Sequence, residues 1–78
     1  MDELSRRYAQ AVDSRMAVER ELKELIRDKR RLKLQVRNGE IEQEEFDLFQ
    51  ERVDEKVEEL ENLEETIEEL GDKMYGEK

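Results

Sequence analysis

The chain has 78 residues, with 15 Lys+Arg against 24 Asp+Glu for a net charge of −9, and it contains no His, Cys, Pro or Trp. Half of it is charged and 35% is hydrophobic, so a conventional globular core is out of reach and long helices or a coiled coil are expected. Without Cys or His there is no disulfide framework, thiolate nucleophile, imidazole base or His-ligated metal site.

The charge is unevenly placed. Residues 1–38 carry 11 basic and 7 acidic side chains, net +4, whereas residues 39–78 carry 4 basic and 17 acidic, net −13. Two such halves attract each other when laid side by side. No apolar run approaches the roughly 20 residues of a membrane span, and the first residues lack the apolar stretch of a secretory signal. A single soluble, cytoplasmic domain over 1–78 is therefore expected.

The first element reads as a helix over about 3–37. Leu4, Ala11, Val18, Leu25 and Leu32 recur every seventh position, and Tyr8, Arg15, Leu22, Lys29 and Val36 follow four residues later. This is a heptad stripe with two charged interruptions. Val12 and Ile26 widen it, as a helix meeting more than one neighbour requires.

A turn over 38–41 follows. Asn38-Gly39 is the strongest breaker in the chain, because both residue types accept positive φ and Gly is the preferred residue just past a helix C-terminus. Ile41 can then staple onto Phe46, with Glu42 as N-cap and Glu45 in the capping-box position. Glu42 is a poor cap, although the acids at 42, 44, 45 and 47 suit a helix N-terminus.

The second helix is expected over about 42–74. Phe46, Val53, Leu60, Ile67 and Met74 form one row, Phe49, Lys56, Leu63 and Leu70 the other, and Val57 widens the stripe. Folding the chain at Gly39 pairs residues whose numbers sum to 78, from Leu32 with Phe46 to Leu4 with Met74, and every seam residue finds a seam partner. The fold class expected is all-α, a two-helix antiparallel coiled-coil hairpin that dimerises into a four-helix bundle. A continuous helix bridging Gly39 and dimerising as a rod of about 105 Å, or a swapped dimer, are the alternatives. Beside the seam, Asp28 would lie near Arg52, while Arg7 near Lys73 and Glu21 near Glu59 would be unfavourable.

Catalysis is not expected. The hydroxyls are Ser5, Tyr8, Ser14, Thr66 and Tyr75, with no base of suitable pKa nearby in sequence and no Gly-rich phosphate loop. No cofactor, metal or small-molecule substrate is implied. Arg27, Lys29, Arg30, Arg31, Lys33 and Arg37 form the best anion or nucleic-acid patch, opposed by the acids that begin helix 2 and lacking interleaved aromatics. Glu51, Asp54, Glu55, Glu58, Glu59, Glu61, Glu65, Glu68, Glu69 and Asp72 make an anionic rod able to engage a basic protein or mimic a phosphate backbone.

The stretch 34–57, LQVRNGEIEQEEFDLFQERVDEKV, resembles the turn of helical hairpins such as the coiled-coil insertion of large serine recombinases and SHOCT-type modules. Gly39, Ile41, Glu44, Glu45 and Phe46 carry the resemblance, which implies a hairpin and no activity. A fainter similarity, through Glu40, Glu42, Glu44 and Glu45, is to the acid-tipped hairpins that transcript-cleavage factors insert into RNA polymerase. The function expected is a non-enzymatic protein–protein interaction module, a small regulatory or adaptor protein or a viral or mobile-element one, that pairs with itself and with another protein. A nucleic-acid-binding helical bundle using the basic segment 27–37, or an acidic nucleic-acid mimic or RNA polymerase channel-binding hairpin, is the alternative.

Overall fold

A computed structural model describes residues 2–75. Two helices, α1 (Glu3–Arg37) and α2 (Gln43–Tyr75), pack side by side as a hairpin. The molecule is 57 Å long and 18 × 13 Å in section. That length suits helices of 35 and 33 residues at 1.5 Å per residue and is about half that of a continuous rod. The chain therefore reverses at Gly39, and the rod through that residue is not formed.

Each helix end has an identifiable device. Asp2 caps α1, its Oδ1 accepting from the Ser5 backbone N–H at 2.8 Å, which satisfies one of the unpaired donors of the first turn. At the other end Asn38 is the C-cap and Gly39 turns left-handed, with φ of 76°. The Gly39 N–H donates to the Val36 carbonyl at 3.0 Å and the Glu40 N–H to the Gln35 carbonyl at 2.7 Å. This pair of bonds is a Schellman motif. It explains why the chain turns here: the last carbonyls of α1 find donors only if the next residue adopts positive φ.

Helix α2 begins with half of a capping box. The Glu45 carboxylate accepts from the Glu42 N–H at 3.3 Å, while the Glu42 carbonyl accepts from the backbone of Glu45 and Phe46. Glu42 thus stands outside the helix as its N-cap residue, and α2 extends one residue beyond Met74, to Tyr75. Ile41 and Phe46 are both half-buried.

The interface is narrow. Among the described residues only Ala11, Val18, Val53 and Leu70 are buried; Leu4, Tyr8, Leu22, Leu25, Leu32, Val36, Phe46, Phe49, Leu60, Leu63, Ile67 and Met74 are half-buried. All sixteen apolar seam positions therefore face the partner helix or its edge. The cross-helix register shows at two points. Lys56 reaches Glu21, and a Cβ placed on Gly71 would stand 3.6 Å from the Tyr8 ring. Both match an antiparallel pairing that sums close to 78.

Candidate interaction faces

The seam divides the surface of the hairpin into two sides that differ chemically. Residues next to the seam recur every seven positions, so one side shows Ser14, Glu21 and Asp28 of α1 with Arg52, Glu59 and Thr66 of α2. The other shows Val12, Glu19, Ile26 and Lys33 with Gln50, Val57 and Glu64. The grooves between the helices follow this division. Ser14, Glu59 and Thr66 line one of them; Lys33 and Gln43 line another on the opposite side.

The first side is polar and closed by charge. Lys56, a charged interruption of the seam, places its ammonium 2.8 Å from Glu21 Oε1 and 3.2 Å from Glu59 Oε1. The like-charge approach of Glu21 and Glu59 expected from the sequence is thereby reversed, because a cation sits between them. Hydrogen bonds to both carboxylates hold the Lys56 ammonium above its ordinary pKa of 10.5. The other anticipated cross-helix charge contacts do not form among the described residues. Asp28 pairs with Arg31 on its own helix at 3.4 Å, and Arg7 pairs with Glu3 at 3.0 Å. Arg15, another seam charge, buries its Nε without a hydrogen-bond partner, so its guanidinium does not escape wholly to solvent.

The second side carries most of the apolar residues that flank the seam. Ile26 and Val57 are exposed, Val12 is half-buried, and Met16, one turn from Val12, is 51% exposed. Met16 escaped sequence reasoning because it lies outside the seven-residue rows, as do Leu34, opposite the seam and 55% exposed, and Leu48, one turn from Arg52 on the first side and 62% exposed. The signal available for Leu34 was an apolar side chain off the seam rows within the most cationic run of the chain.

Toward the turn this second side opens into a groove of about 740 Å³. Arg30, Lys33 and Arg37 line it together with Leu34, Val36 and Phe46, and Gln43 completes it. Of the six cations expected as a patch, the structure gathers these three and leaves Arg27, Lys29 and Arg31 outside. None of the three makes an ion pair among the described residues. The acids of helix 2 named as an anionic rod are all exposed.

Among the described residues no helix is long and apolar enough to cross a membrane, and no group of three or more His, Cys, Asp or Glu side chains is placed to hold a metal ion. No protein-family model, curated protein or solved structure matches the chain.

Proposed function

We propose that the hairpin is a non-enzymatic coiled-coil module for protein–protein interaction, and that a second copy covers its apolar side to make a four-helix bundle. The observation that carries this reading is the asymmetry of the two sides: Met16, Ile26 and Val57 are exposed on one, while Lys56 ties the other together with Glu21 and Glu59. A helix that packs against one neighbour needs a single stripe, and additional flanking apolar residues serve a second contact. Stability argues the same way. A hairpin with four buried side chains has little surplus over the entropy of ordering its helices, and a further layer on the apolar side supplies the missing burial.

Small-angle scattering with light-scattering mass tests this. The expected result is twice the mass of one chain in a particle whose length stays near that of the hairpin. Ile26→Glu with Val57→Glu should return it to a monomer of unchanged fold type. A single-chain mass for the unmodified protein at high concentration overturns self-association.

A further inference from the structure

We propose that the groove beside the turn is a second docking site, for an acidic amphipathic segment of another protein. Its walls are unusual for this chain. With 24 acidic residues among 78, the groove is nevertheless lined by three cations and, among the described residues, no carboxylate. By contrast, the groove between Ser14 and Thr66 includes Glu55, Glu58 and Glu59, and a smaller hollow on α1 beside Leu22 and Ile26 includes Glu19. Arg30, Lys33 and Arg37 are spaced at i, i+3 and i+7, so they stand in a row along one edge of α1. All three are exposed, and none is neutralised by a partner among the described residues.

The floor is apolar. Val36 and Phe46 are half-buried, and Leu34 stands 55% exposed at the wall. A row of cations beside an apolar floor is complementary to a helix with carboxylates along one edge and Leu- or Phe-like side chains beside them. The volume of about 740 Å³ accommodates several such side chains. The net charge of −9 does not by itself oppose docking here, since charges farther than roughly 8 Å are screened at physiological salt and the lining charges are three cations, with the Asp47 carboxylate at the margin, 2.9 Å from the Gln43 amide. A nucleic acid fits less well: three cations offer few phosphate contacts, and the apolar wall contributed by Leu34 gives a phosphate backbone nothing to bond.

This inference rests on the reading of an interaction module but not on self-association. Fluorescence anisotropy with a labelled helical peptide tests it, the probe being about four turns long with Glu along one edge and Leu and Phe beside it. Saturable binding is expected, weakening about 10-fold when the Glu residues become Gln or the apolar residues become Ser. On the protein, Lys33→Gln with Arg37→Gln, and separately Leu34→Ser, should each weaken it about 3- to 10-fold. These positions are exposed, so helicity should be unchanged. A second copy would cover the same side, so Ile26→Glu with Val57→Glu should keep or tighten peptide binding, which separates this site from the dimer. Absence of saturable binding, indifference to Leu34→Ser, or tighter binding of a single-stranded or duplex oligonucleotide overturns the proposal.

Discussion

Lys56 of α2 donates to Glu21 of α1 at 2.8 Å, the one ion pair that crosses between the helices among the described residues. Its stem occupies a seam position while its head, with the side chain 29% exposed, also meets Glu59 at 3.2 Å. A long cationic side chain thus fills an apolar position and converts a repulsive pair of carboxylates into a bridged one.

Lys56→Met should therefore be less benign than its apolar gain suggests, because Glu21 and Glu59 are left facing each other. Adding Glu21→Gln should restore most of the loss, a non-additivity read from urea midpoints in a double-mutant cycle. Strictly additive effects would show that the bridge contributes nothing.

The same contact has a pH signature. Hydrogen bonds to two carboxylates raise the folded-state pKa of Lys56 above 10.5. Its contribution is then complete below pH 10.5 and is lost as pH rises through the higher folded value. The stability gap between the unmodified chain and Lys56→Met, both measured across this interval, should change there and stay flat from pH 7 to 9.

At the opposite end, the Ser5 N–H holds the Asp2 carboxyl below its ordinary 3.8. A depressed carboxylate stabilises fully above that value and progressively less as pH falls through the folded pKa. Asp2→Asn should keep part of the cap at neutral pH, whereas Asp2→Ala should speed amide exchange in the first turn of α1 and leave that of α2 unchanged.

The two internal glycines should respond oppositely to alanine. Gly39 sits at φ 76°, where an L side chain is strained, so Gly39→Ala should cost about 1–2 kcal/mol even though nothing lies within 4 Å of the added Cβ. Gly71 lies inside α2, and its Cβ would make ordinary contact with Tyr8 at 3.6 Å. Gly71→Ala should stabilise by about 0.5–1 kcal/mol. Thermal melts by circular dichroism check both signs.

In the seam, Leu25→Asp should abolish most of the helical signal, because a half-buried leucine is replaced by a charge with no partner. Glu58→Gln on the exposed face should change the midpoint by less than about 0.5 kcal/mol. Equal tolerance of the two would contradict the seam.

Much of this architecture is legible without coordinates, for local reasons. The sevenfold recurrence from Leu4 to Leu32 and from Phe46 to Met74 dictates which helix face is buried, since an α-helix returns to the same face every two turns. Asn38-Gly39 dictates where the chain turns, because the Schellman geometry requires a residue that accepts positive φ. Those properties belong to neighbouring residues, so sequence alone determines them. The tertiary structure decided what depends on side chains distant in sequence. Lys56 chose Glu21 and Glu59, Asp28 chose Arg31 over Arg52, and Arg30, Lys33 and Arg37 met Phe46 in a groove that excludes the chain's many acids. Such outcomes turn on reach, rotamer and the small offset between two helices, and along the sequence Glu21 stands 35 residues from Lys56.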